Sequence, residues 1–138
     1  MNIGEAAESS GVSAKMIRYY EETGLVPKPH RTASGYRTYD HAAVHRLRFV
    51  ARARELGFSM GKISELLRLW QDRKRSSRDV KKLALRHLEE LEDQIERLQD
   101  MRQTLKHLAD ACEGNNRPHC PILNELGNPN PQRRNSHG

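Results

Sequence analysis

DVKKLALRHLEELEDQIERLQDMRQTLKHLADA, residues 79–111, decides the architecture of this chain. Val80, Leu83, Leu88, Leu91, Ile95, Leu98, Met101, Leu105 and Leu108 recur mostly at intervals of three and four, which puts them on one stripe of a helix. Neither Gly nor Pro interrupts the run, and the outer positions are charged, among them Glu89, Glu90, Asp93, Glu96 and Arg97. At roughly 1.5 Å per residue such a helix is about 50 Å long. A stripe this narrow needs a second helix, because the 3,4 alternation is a coiled-coil seam, with one step out of register between Leu98 and Met101. Nothing else in the sequence is long enough to cover it, so the expected partner is a second copy. The seam alone does not set whether the two helices run parallel or antiparallel.

Size and charge agree with that reading. A chain of 138 residues has room for one small domain beside the helix, and a monomer would leave the stripe wet. The net charge of +6 is unevenly placed: residues 1–58 carry nine Lys/Arg against six Asp/Glu, residues 59–78 six against two, and residues 79–112 six against eight. The basic excess belongs to the first 78 residues and suits a polyanion, nucleic acid first; a solvated basic surface is the bland alternative. No run approaches the about 20 apolar residues of a membrane span and the opening residues are not a secretion signal, so a cytoplasmic protein is expected. In that compartment the two cysteines are expected as thiolates rather than a structural disulfide.

Upstream of the long helix, Asn2 followed by Glu5 is a capping box that opens a short helix burying Ile3, Ala6 and Ala7. Gly11 stops it, Ser13 caps a second helix from Ala14 to Glu22, and Gly24 suits the left-handed position that ends it. Two short helices joined by a glycine turn form a helix-turn-helix. Its second helix offers Lys15, Arg18, Tyr19 and Tyr20 to DNA: arginine grips guanine edges or phosphates, and tyrosine stacks on sugar. Residues 31–39, RTASGYRTY, carry a Ser-Gly turn between short extended arms, a wing decorated by Arg31, Tyr36, Arg37 and Tyr39. Asp40 caps a third helix to Leu56 with Val44, Leu47, Val50 and Ala51 inward. Ser59 caps a fourth, carrying Ile63, Leu66, Leu67 and Trp70, with Phe58 stapled onto Ile63. Residues 71–78 read as a polar, basic hinge.

Downstream, Cys112 and Cys120 are separated by seven residues, a loop that brings two sulfurs to opposite sides of one ion. Two thiolates suit a soft, low-coordinate monovalent cation such as Cu(I), and they leave zinc short of the four ligands it prefers. Other readings stay open. Cys112 is in phase with Leu105 and Leu108 and would serve as a small core residue, or the pair would act in redox chemistry. His119 is a potential third ligand, although a solvent-facing loop histidine is the simpler reading. HAAVH at residues 41–45 lacks the glutamate base of a zinc-protease helix, and no nucleophile arrangement or phosphate loop appears, so no catalysis is expected. Pro121 starts a turn or two of helix to Leu126, and residues 127–138 read as a disordered tail.

Taken together, NIGEAAESSGVSAKMIRYYEETGLV (2–26), RTASGYRTYD (31–40), ARELGFSM (53–60) and the long helix resemble the MerR family of dimeric transcription activators, in order, along residues 1 to about 111. ACEGNNRPHCPI (111–122) further resembles its CueR-type copper(I)-responsive branch. The resemblance implies a mainly α fold: a winged helix-turn-helix DNA-binding domain (1–70), a hinge (71–78), an antiparallel coiled-coil dimerisation helix (79–111), and a metal-binding loop with a short helix (112–126). It implies Cu(I), or the equally soft Ag(I) and Au(I), held by Cys112 and Cys120, with Ser77 standing where divalent sensors of the family carry a third cysteine from the other protomer. It also implies a homodimer that sits on promoter DNA with an over-long spacer and, on binding metal, distorts it for RNA polymerase, at copper-tolerance genes. The alternative from another class is a cytosolic thiol metal-binding or redox protein whose basic surface is incidental.

Overall fold

A computed structural model describes residues 1–129. In order along the chain lie α1 (Ile3–Ser10), α2 (Ala14–Glu22), β1 (His30–Arg31), β2 (Arg37–Thr38), α3 (His41–Glu55), α4 (Met60–Gln71), α5 (Ser77–Ala111) and α6 (Pro121–Leu126). They form two compact units, Met1–Ala84 and the residues from Leu85 onward. No helix among the described residues is long and apolar enough to cross a membrane. Of the tail expected at residues 127–138, the part from residue 130 lies outside the described residues.

In the first unit, local chemistry sets each helix start. The Asn2 side chain accepts from the Glu5 amide (2.8 Å) while the Glu5 carboxylate accepts from the Asn2 amide (3.0 Å), a reciprocal cap that satisfies two otherwise unpaired donors. Ser13, Asp40 and Ser59 accept from the amides of Met16 (3.2 Å), Ala43 (2.8 Å) and Lys62 (3.3 Å) at the starts of α2, α3 and α4. Between α1 and α2 the chain reverses through Gly11 at φ 77°, a conformation that a side chain would strain. The helices then close on one core of Ala6, Ile17, Val44, Leu47, Val50, Ile63 and Leu67, with Val12, Tyr20, Val26 and Tyr39 filling its edge. Inward from α3 come Val44, Leu47, Val50 and Ala53, while Ala51 packs at the margin. Trp70 departs from the expected inward stripe. It is 40% exposed and stacks on Phe49 with ring centroids 4.8 Å apart.

The wing is an antiparallel pair in which His30 faces Thr38 and Arg31 faces Arg37. Its turn closes with Thr32 N–H donating to Tyr36 O (2.8 Å) and Gly35 N–H to Thr32 O (2.9 Å). The base of the wing is tied to the chain start, where Tyr39 N–H donates to Met1 O (2.7 Å) and the Met1 amine donates to Tyr39 O (3.0 Å).

α4 runs through Gln71, and α5 begins at Ser77, two residues before the expected start at Asp79, so the connection is shorter than the hinge read from sequence. Of the apolar stripe of α5 only Leu83, in the first unit, is buried. In the second unit Leu88, Ile95, Leu98, Met101 and Leu105 are each about half exposed or more, from 49% to 61%. One chain cannot dry this stripe by itself.

Candidate nucleic-acid interface and metal centre

α2 presents Lys15, Arg18 and Tyr19 on its exposed face, because Ile17, Tyr20 and Glu21 occupy the turn that packs inward. Beside it lies an open hollow of about 380 Å³ lined by Asn2, Ile3, Arg18, Arg31, Gly35, Tyr36 and Arg37. Three arginines from α2 and both wing strands therefore converge on one concave surface, with the 73% exposed ring of Tyr36 at its rim. Guanidinium groups in a solvent-open hollow match the oxygen fork of a phosphodiester. Arg31 is pre-set there by donating from Nη1 to the Gly35 carbonyl (2.7 Å) across the turn.

Two of the tyrosines expected at this surface are elsewhere. Tyr20 and Tyr39 are buried at 4% exposure each, so they hold the surface up from the core and do not offer rings to a sugar. Tyr39 donates its hydroxyl to Glu21 Oε2 (2.7 Å) inside the domain. Burial, followed by the bond to Glu21 and its charge, raises the phenol pKa to about 12, so the ring stays a neutral donor. Arg37 is half buried and reaches Glu21 from the other side, Nη1 to Oε1 at 3.8 Å. Sequence reading passed over Glu21. Its signal was present, since positions 17, 20 and 21 share a helical face, and a carboxylate there is a buried one.

In the second unit the loop after α5 returns Cys120 to Cys112, with sulfur atoms 4.0 Å apart and both side chains partly buried. Cys120 is the residue before α6, and Pro121 occupies the first helical position, where its missing N–H costs nothing. The backbone N–H groups of Leu123 and Ile122 and the Cys112 thiol, the Leu123 amide foremost, hold the Cys120 pKa below its ordinary value against the opposing effect of desolvation. These are donors for a thiolate. His119 is exposed, and among the described residues no cluster of three His, Cys, Asp or Glu forms that could hold a metal ion.

The donor set fits a soft ion. The two sulfurs, 4.0 Å apart, would together hold one soft ion, to which they would supply two thiolate ligands. Two thiolates on a monovalent ion would leave one negative charge at the start of α6, where the Leu123 and Ile122 amides favour the anionic form of Cys120.

Comparison with known proteins bears on both sites. A family model described as MerR HTH family regulatory protein matches residues 1–70, and one described as MerR, DNA binding, matches residues 44–108. The chain is 59% identical over 128 residues, 93% of its length and 87% of the relative's, to heavy metal-dependent transcription regulator 2 of Rhizobium meliloti. It is 43% identical over 126 residues, 91% of its length and 93% of the relative's, to the HTH-type transcriptional regulator CueR of Escherichia coli O6:H1. Among solved structures it is similar to the regulator PbrR691 of Ralstonia metallidurans CH34 in complex with lead(II), at TM-score 0.79 and 28% identity, covering 92% of this chain and 99% of that one.

Proposed function

The chain belongs to the MerR family of helix-turn-helix transcription regulators, proteins that bind promoter DNA and are not enzymes, and from that premise we propose that it is a Cu(I)-responsive activator. A relative at 59% identity is named a heavy metal-dependent transcription regulator, which supports a metal response in this chain. The observation that carries the finer reading is the pair of sulfurs at Cys112 and Cys120, 4.0 Å apart, with no cluster of three candidate ligands among the described residues. Bound there, a soft monovalent ion supplies a strong bridge between the end of α5 and the start of α6. The residues do the rest: the Leu123 and Ile122 amides lower the Cys120 pKa, which favours its thiolate, and Cys112 would supply the second sulfur ligand.

Promoter contact is proposed for Lys15, Arg18, Tyr19, Arg31, Tyr36 and Arg37, with Tyr20 and Tyr39 acting from behind the surface. The protein works as a homodimer in the cytoplasm, its stripe from Leu88 to Leu105 covered by an antiparallel copy. Both the metal-free and the metal-bound dimer stay on a promoter with an over-long spacer, and metal binding changes the DNA distortion that RNA polymerase meets. Ser77 keeps a third thiolate out of the site and thereby disfavours divalent ions.

The test is a titration of the reduced protein with Cu(I), Ag(I), Zn(II) and Pb(II) while transcription from its own promoter is followed. Induction by the monovalent ions alone is expected. Induction by Pb(II) or Zn(II) at lower free concentration than Cu(I) would overturn the assignment of the metal and leave the family intact.

A further inference from the structure

Glu21 is the one acidic side chain in the core of the DNA-binding unit, at 5% exposure in the last turn of α2. Burying a carboxylate is unfavourable unless its partners are well placed, and both partners here come from a single short segment of the wing. Tyr39 donates to Oε2 at 2.7 Å, and Arg37 approaches Oε1 at 3.8 Å. Arg37 opens β2 and Tyr39 directly follows that strand, and the two side chains meet one carboxylate together. Arg37 in turn lines the hollow shared with Arg18 and Arg31, and Arg18 stands one helical turn before Glu21 on α2.

From this juxtaposition we infer that Glu21 is a positioning residue for promoter binding: its carboxylate locks the wing against the recognition helix, so that Arg37 and Arg31 stand at a fixed distance from Arg18 and the hollow is formed before DNA arrives. Glu21 touches no DNA. The wing has only two residues in each strand, and such a hairpin is marginal without outside support. The Met1 bonds hold its backbone at Tyr39 and Glu21 holds its side chains. Preorganisation of this kind shows as affinity, because ordering the wing no longer has to accompany binding.

This inference rests on the promoter-binding reading, and the experiment separates the two. The probe is a palindromic duplex selected from a random pool by the wild-type dimer. Glu21→Gln keeps an acceptor for Tyr39 and removes the charge that faces Arg37. It is expected to weaken binding about tenfold at physiological salt and to lower the slope of log affinity against log salt by about one, the loss of one phosphate contact. A core defect without positioning would lower the urea midpoint and leave that slope unchanged. The second measurement is a double-mutant cycle against the wing variant Arg31→Ala/Arg37→Ala, in which Glu21→Gln should cost almost nothing further. Tyr39→Phe, which keeps the ring in the core, should weaken binding in the same direction by about threefold, and it decides the matter if Glu21→Gln does not fold. An unchanged salt slope in a folded variant, or a full tenfold loss retained on the wing-stripped background, overturns the inference alone. A wild-type dimer that selects no duplex overturns the promoter-binding reading together with it.

Discussion

Cys120 stands at the start of α6, and the backbone amides of Leu123 and Ile122, Leu123 foremost, lower its pKa. A thiol shifted in this direction is thiolate at a lower pH than a free one, so alkylation of Cys120 in metal-free protein should reach half its plateau rate at a lower pH than that of a free cysteine. Replacing Leu123 by proline removes the foremost donor, at the cost of disfavouring helical backbone at Ile122, and the alkylation midpoint should then rise. Mass spectrometry of iodoacetamide-labelled peptides across pH checks both. Cys112→Ser and Cys120→Ser should each abolish Cu(I) induction while leaving promoter occupancy by the metal-free dimer intact, since a hydroxyl is a poor ligand for a soft ion. A reporter still induced by copper in either variant would remove the two-thiolate site. On the DNA side, Arg18 is exposed and lines the arginine hollow, so Arg18→Ala should weaken the operator complex by about 1–3 kcal/mol without changing the oligomeric state or metal affinity. Unchanged affinity at physiological salt in a gel shift would count against that placement.

At the scale of elements, the start of α5 is the instructive case. Ser77 has two opposed readings, a cap of the long helix and a residue that denies a third sulfur to the metal. The capping acceptor is its neighbour, because Ser76 Oγ accepts from the Arg78 amide (3.0 Å), while Ser77 is the first helical residue and exposed. Ser77→Cys is therefore expected to cost less than about 0.5 kcal/mol, within the range of exposed surface changes. It should raise Zn(II) affinity by bringing a third thiolate from the partner, since three thiolates and a divalent ion carry the same total charge as two thiolates and Cu(I). Calorimetric zinc titration of Ser77→Cys beside Ser77→Ala decides this: equal, weak binding in both means that selectivity lies elsewhere. That two-residue shift in the helix start also marks what sequence reading reaches. Caps at Asn2, Ser13, Asp40 and Ser59 are written in one side chain and the amide three residues on, and the phase of Val44, Leu47, Val50, Ile63 and Leu67 is written in spacing. Residues 72–78 are polar throughout, so no apolar phase says where α5 begins. Tyr20 and Tyr39 look like interface residues because they stand beside Arg18 and Arg37, yet both are buried, and Tyr39 is bonded to Glu21, 18 residues away. The nearness of Cys112 and Cys120 was legible from a spacing that the loop closes.

For the whole molecule the open stripe of α5 governs. Leu88, Ile95, Leu98, Met101 and Leu105 are each 49% to 61% exposed, and drying half of a Leu or Ile side chain contributes about 1 kcal/mol. Five such residues from each of two chains give roughly 10 kcal/mol before ordering costs, enough to make the dimer the working species. A lysine at Leu98 sets a charge in the dry seam and should yield monomers in sedimentation equilibrium, with promoter affinity falling by at least a hundredfold because each half-site is then bound independently. Direction is a separate matter, since neither the stripe nor the near balance of charge in residues 79–112 prefers one orientation. In a parallel pair every seam position meets its own copy, so Leu88→Cys and Leu105→Cys would each form a disulfide-linked homodimer. In an antiparallel pair only positions near the crossing point do. Residues 88 and 105 lie 17 apart, about 25 Å at 1.5 Å per residue, so at least one of them stands more than about 10 Å from that point. Sulfurs separated by twice that distance cannot bridge. With Cys112 and Cys120 replaced by serine and mild oxidant added, the antiparallel arrangement predicts that at most one of the two variants cross-links to itself. Efficient self-cross-linking at both positions would establish a parallel coil, and with it a dimer whose two metal loops lie side by side at one end instead of at opposite ends.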